Sequence, residues 1–389
     1  MLAWGFCPAA NAAAQTAAEA ERYQSILRTF RRSKPVAPAF VPFEQAWTLT
    51  LPSAPSAPGP LDRERLYVPL REGRLVALRR ETGLLEWTRD IEVTMTPEAG
   101  GDALFLVSGG SLRALDAATG ADRWSVPIEA AVAAPPVWDA GWLLVVVEPG
   151  EVLALRASDG ALMWRRSIGA PSPYAAVPGG RNAVFVSTSD SRVVALALDT
   201  GALLWTRALP GALSPPAVAK DRVFVGSTDN TFYALDPATG RDQWKWRNGG
   251  DVIGAAVDGD VVYFASLDNV IRAVNRGNGN QRWRKPTGSR PVLPPRAFRG
   301  VVVLPGLMPA ISVFVGETGA SMGVYAPAGA LIGPPLIDAA VKPFQVSCVT
   351  ITREGVVEAL RPAAMMFREA AATPVAALPG RALTRERME

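Results

Sequence analysis

Few residues of this chain could carry chemistry near neutral pH. It has no histidine, which removes the usual general base, proton shuttle and transition-metal ligand. A Ser-His-Asp triad, a Cys-His dyad and a His-ligated zinc are all excluded. What remains is carboxylates, Lys, Tyr or a bound cofactor. The two cysteines, Cys7 and Cys348, lie far apart and form no CxxC. Cys348 sits in "FQVSCVTIT", which alternates like a strand and reads as a small buried hydrophobe. The carboxylates Asp139, Glu148, Glu151, Asp258 and Asp260 fall at turn-like positions, where solvated loops are the default. No residue is assigned a catalytic, cofactor-binding or metal-binding role.

One cluster nevertheless groups polar residues as a ligand site would. "ALDPATGRDQW" brings Asp236, Thr239, Gly240 and Trp244 within eleven residues, and the same frame recurs along the chain. The copies are "ALRRETGLLEW" from Ala77, "ALDAATGADRW" from Ala114, "ALRASDGALMW" from Ala154, "ALALDTGALLW" from Ala195 and "AVNRGNGNQRW" from Ala273. Two decayed copies, "VFVGETGASMG" and "ALRPAAMMFRE", begin at Val313 and Ala359. A period of about forty residues is that of a propeller blade, not of a helical solenoid.

The elements around each copy must then be strands. In the fifth unit "PAVA", "RVFVGS", "TFYALD" and "RDQWKWR" read as four short antiparallel strands. The frame is the corner between the third and fourth. Asp236 bonds the turn backbone, Pro237 presets φ and Gly240 takes a left-handed conformation. Trp244 is expected to bury its ring against the neighbouring blade, worth roughly 3–5 kcal/mol against Ala. Hairpin tips are expected in phase at Gly73, Gly110, Gly150, Ser191, Asn230, Asn269, Pro309 and Gly355, mostly residues that tolerate positive φ. Pro136, Pro216 and Pro295 recur where first strands begin.

Trp47 precedes the first full unit by one period, in a segment without inner strands of its own, whereas the last unit has no outer Trp. An all-β, eight-bladed ring results, in which 43–50 supply the outer strand of the eighth blade and so remove two exposed edges. The divisions are 1–42, a signal-like apolar segment and helix; 43–369, the propeller; and 370–389, a loose tail. Within the first, 13–32 reads as a helix with Tyr23, Ile26, Leu27 and Phe30 at helical spacing. "SAPSAPGP" (53–60) is a Pro-rich loop inside the first blade. "WDAGW" (138–142) reads as a hairpin with a cross-strand Trp pair. "RDQWKWRNGG" reads either as a basic-aromatic binding strip or, more economically, as an outer strand between two blades.

Formal charge is +4 with a pI near 9.3, and the scattered basic residues do not form a nucleic-acid footprint. "RTFRRSK" (28–34) is the densest basic run and reads as a solvated helix end, with a membrane surface or acidic partner as the other reading. The first dozen residues, "MLAWGFCPAANA", lack a basic n-region. They read as a signal cut short with Ala10–Ala12 as the cleavage site, as a lipoprotein signal with Cys7 lipidated, or as a plain apolar start; bulky Phe6 counts against lipidation.

The A-L-D-x-x-T-G-x-x-x-W frame at this spacing resembles the PQQ-like (pyrroloquinoline-quinone-type) propeller repeats over roughly 43–369. Two branches of that family matter. The quinoprotein dehydrogenases hold a quinone over bound Ca²⁺ with a catalytic Asp and often a disulfide between adjacent cysteines, none of which can be placed here. The BamB-like outer-membrane assembly factors are of similar size and are not catalytic. That resemblance implies a periplasmic or outer-membrane-associated protein, a monomeric scaffold without PQQ or Ca²⁺. Its partners would be proteins bound through inter-blade loops, the barrel-assembly machinery among them, with no nucleic acid and with membrane tethering through the N-terminus. The family's docking loop would fall near 169–180, but its Leu and Arg are missing there. The alternatives are a quinone-dependent dehydrogenase and a carbohydrate or small-ligand sensor.

Overall fold

The computed structural model describes residues 31–33, 43–179, 182–307, 310–337 and 345–362. They form eight antiparallel sheets arranged as the blades of a propeller. Blade 5 shows the plan: first strand Ala217–Ala219, second Arg222–Gly226, third Thr231–Leu235 and fourth Asp242–Arg247, in spatial order from the axis outward. Blades 2, 3, 4, 6 and 7 repeat it, with first strands starting at Glu98, Val137, Val177, Val252 and Arg296. Second and third strands are buried on both faces, and most of the largest buried aromatic side chains, such as Phe105, Phe185 and Phe224, come from second strands. Each blade is thin, so its apolar faces are satisfied only by the blades beside it.

The hairpin tips fall where the phase of the repeat put them. Gly73, Gly110, Gly150, Ser191, Asn230, Asn269 and Gly355 all have positive φ, and Pro309 lies outside the described residues. Pro136, Pro216 and Pro295 immediately precede first strands. Cys348 is buried in a second strand, and burial pushes its thiol up to about 12.

Ring closure follows the expected route and goes further. Phe43–Thr50 pairs with Val356–Pro362, so the N-terminal strand is the fourth of blade 8, and a fifth strand, Arg31–Ser33, adds outside it. Arg31 and Arg32 are therefore strand and not helix end. The remainder of the helix expected over 13–32, the N-terminal signal readings including Cys7, and the tail over 370–389 lie outside the described residues.

Two further expectations are corrected. Blade 1 has three strands, Arg65–Leu70, Arg74–Arg79 and Leu85–Asp90. The Pro-rich stretch stands in the first strand's place and touches the sheet only at isolated bridges, Pro55 to Leu70 and Leu61 to Leu66. Its prolines have no N–H to give a ladder. In blade 3, Trp142 pairs with Asp139 and not with Trp138. A one-residue offset sends the two indoles to opposite faces. Trp138 lies over Gly100 of blade 2 and Trp142 packs toward the core shared with blade 4.

Candidate binding faces and the joints that hold them

The recurring corner is built the same way wherever its residues are kept. In blade 5, Asp236 Oδ1 accepts the N–H groups of Ala238 and Thr239 at 3.0 and 2.9 Å and the Thr239 hydroxyl at 3.0 Å. Asp116 does the same in blade 2, and the Arg123 and Thr119 hydrogen bonds hold its carboxyl down at about 2. A β-bulge beside the first two residues of the frame leads the third strand into this corner, as between Ala234 and Leu235.

The corner's Gly and the preceding blade's Trp form one joint. Trp205 of blade 4 donates its indole N–H to the Pro237 carbonyl of blade 5 at 2.9 Å. Gly240 sits so close over that ring that a Cβ would lie 2.6 Å from it. The same arrangement joins Trp47 to Arg80 O with Gly83, Trp87 to Ala117 O with Gly120, and Trp124 to Ala157 O with Gly160. It continues with Trp164 to Leu198 O and Gly201, Trp244 to Arg276 O and Gly279, and Trp283 to Gly316 O and Gly319. Seven of the eight seams are thus clasped. The polar and aromatic cluster that could have been a ligand site is occupied by the protein itself.

The joint between blades 8 and 1 carries an added lock. Arg80, fully buried, donates to the Val346 carbonyl from Nε at 2.8 Å and to the Asp62 carbonyl from Nη1 at 3.0 Å. Glu81 accepts the Val346 N–H. A buried guanidinium needs such saturation, because stripping it of water costs several kcal/mol.

With the corners spent on assembly, what remains are the two ends of the ring. One end carries the links between blades and the second-to-third hairpins. The link expected to resemble a docking loop is described over 169–179 and is anchored through Ser172, whose Oγ donates to Ser187 O at 2.8 Å. Beside it stand three hairpin-tip carboxylates on consecutive blades. Asp190 accepts from Thr188 and Arg192, Asp229 from Tyr233 and Asp268 from Ser266 and Arg272. The Arg192 guanidinium holds the Asp190 carboxyl below the usual range, whereas burial and then Asp229 push the Tyr233 phenol up to about 12.

The other end opens into a depression of about 950 Å³ bordered by Asp62, Gly100, Asp102, Asp116, Trp138 and Ile337. Beneath its rim, Glu98 on the first strand of blade 2 accepts the Trp138 N–H at 3.4 Å, and burial pushes its carboxyl up to about 7. Nothing in the sequence marks Glu98, since its partial enclosure exists only once the ring closes.

The carboxylates singled out from sequence are not brought together. Glu151 pairs with Arg165 at 2.7 Å, Asp260 with Arg282 at 2.5 Å, and Asp258 accepts the Gly300 N–H at 2.8 Å. Among the described residues no three Asp, Glu or Cys side chains are grouped as metal ligands. "RDQWKWRNGG" divides as an outer strand should. Trp244 and Trp246 pack on the core shared with blade 6, and Lys245 and Arg247 are exposed.

Fold and joints together define an eight-bladed propeller of PQQ-like repeats. The chain matches the family model described as "Outer membrane protein assembly factor BamB" over residues 44–173, 108–211 and 189–305, and it belongs to that family. Among solved structures, it resembles BamB from Moraxella catarrhalis at 19% identity and a TM-score of 0.63, covering 82% of this chain and 99% of that one. The computationally designed Ika8 protein matches at 17% identity and 0.67, covering 79% and 96%. A quinohemoprotein alcohol dehydrogenase, ADHIIG from Pseudomonas putida HK5, matches at 13% identity and 0.60, covering 85% and 78%. No curated protein sequence matches the chain. At these identities the structural likenesses speak for the fold alone.

Proposed function

We propose that this protein is a non-catalytic scaffold that binds other proteins through its loop-built ends and serves outer-membrane protein assembly in a bacterial periplasm. The observation that carries the reading is the family match together with the clasp. The repeat's polar and aromatic residues are consumed in joining blades, which leaves the loops to make contacts. The end bearing the 169–179 link and the tips at Asp190, Asp229 and Asp268 is the docking face, because its side chains are held in place by short hydrogen bonds before any partner arrives.

The test is affinity capture of the tagged full chain from native envelopes after brief cross-linking. Recovery of a barrel-assembly component, reduced by Tyr174→Ser in the link with thermal unfolding unchanged, is the expected result. Consistent absence of such a component counts against the reading. Stoichiometric uptake of added quinone and Ca²⁺ with dye-linked turnover would replace it with a dehydrogenase.

A further inference from the structure

Charge is distributed unevenly around the outside of the ring. The fourth strands of blades 3 to 6, Leu162–Ser167, Leu203–Ala208, Asp242–Arg247 and Gln281–Pro286, hold eight Lys and Arg against one acid, Asp242. Those of blades 1, 2, 7 and 8 hold two Arg against four acids, and the fifth strand outside blade 8 adds Arg31 and Arg32. On the basic side, Arg165 pairs with Glu151, Arg207 with Asp242 and Arg282 with Asp260. Among the described residues no carboxylate pairs with Lys245, Arg247, Arg284 or Lys285.

Two fourth strands of that arc also expose apolar pairs, whereas on the other described fourth strands Val324 of blade 7 is the one large apolar side chain so exposed. Leu162 and Met163 of blade 3 are 54% and 47% exposed, and Leu203 and Leu204 of blade 4 are 57% and 47% exposed. The corresponding positions are Asp122 and Arg123 in blade 2 and Asp242 and Gln243 in blade 5. The two strands adjoin, since Arg166 of blade 3 donates to the Gly201 carbonyl two residues before Leu203, at 2.7 Å. Charged side chains on outer strands can serve simply to discourage edge-to-edge pairing. That need is the same for every blade and gives no reason for exposed leucines.

We propose that this arc of the rim binds the surface of an anionic lipid bilayer. A disc standing on its edge meets a flat surface over about two adjacent blades. Here blades 3 and 4 would set Leu162, Met163, Leu203 and Leu204 at the boundary between headgroups and acyl chains. Arg165, Arg166 and Arg207 beside them, and Lys245 and Arg247 on the flank, would lie within a Debye length of the lipid phosphates. The long Lys and Arg stems suit that depth, since they keep their charge at the headgroups while covering apolar surface. Both ends of the ring stay free for proteins in this pose. The inference goes beyond the scaffold reading and stands or falls separately from it.

The experiment is vesicle flotation of the full chain with phosphatidylcholine alone, and with one third phosphatidylglycerol. Binding to the anionic vesicles only, weakening steeply between about 0.1 and 0.5 M salt, is expected. Arg166→Glu/Arg207→Glu/Lys245→Glu/Arg247→Glu should lower the partition by roughly a hundredfold or more. Leu162→Ser/Leu203→Ser/Leu204→Ser should lower it by about tenfold. Both variants change exposed side chains, and circular dichroism checks their fold; the salt response reads the charge in the unaltered protein. Equal binding to both vesicle types, or anionic binding that survives both variants, overturns the proposal. So does an acidic protein captured through this arc by a chain that ignores vesicles.

Discussion

The seam between blades 4 and 5 and the seam between blades 7 and 8 solve one problem with different parts. At the first, Trp205 is clamped between the Pro237 carbonyl and Gly240. At the second, Gly323 occupies the place of the Trp, paired with Val313 as Trp283 is with Ala273. The gap is filled by an apolar cluster instead, with Phe43 stacked on Phe298 at 6.0 Å beside Tyr325 and Cys348. A clasp combines area, a hydrogen bond and a backbone shape that only Gly supplies. The cluster has area alone. The decayed copy of the repeat therefore marks where the ring is joined least specifically, and that seam lies next to the blade through which the chain closes.

The comparison can be broken or sharpened by substitution. The largest effect is expected at a clasp: Trp205→Ala should cost roughly 3–5 kcal/mol, read by denaturant unfolding. Next comes the closure lock, where Arg80→Ala leaves the Val346 and Asp62 carbonyls without their donor and should cost about 3 kcal/mol.

Glu98 gives a smaller, pH-dependent effect. Its carboxyl is raised to about 7 in the folded ring, so the native state holds a proton that the unfolded chain releases near pH 4.5. Stability from this group is complete below about pH 4.5 and is lost as pH rises toward 7. Glu98→Gln should flatten that stretch of the stability curve and stabilise the protein at pH 8 by on the order of 2 kcal/mol. An unchanged pH profile would place Glu98 in water. The smallest effect is Asp236→Ala, which removes three hydrogen bonds within one exposed corner and should cost about 1 kcal/mol in thermal unfolding.

Much of this architecture could be read from residues whose role is local. A Gly with positive φ, a Trp at fixed distance from it and an Asn at a hairpin tip each express their physics within a few positions, so their phase revealed blades, corners and closure. Features depending on distant partners were hidden. The Pro-rich stretch gave away a loop but not that it replaces a strand. Trp138 and Trp142 looked like a pair because their spacing says nothing about register. Glu98 resembles any other strand-edge carboxylate until seven other blades surround it. The basic arc was present as "WRRS", "WTRA", "WKWR" and "WRKP", but its meaning required knowing that all four segments lie outermost and side by side.

Hydrogen exchange followed by mass spectrometry tests the mechanical account most directly. Amides of fourth strands whose Trp is clasped, such as Leu203–Ala208, should exchange more slowly than those of Ser321–Tyr325 at the unclasped seam. Trp205→Ala should bring the first segment close to the second. Equal protection of both segments in the unaltered protein, or no change on removing the indole, would contradict the clasp as the device that holds the ring.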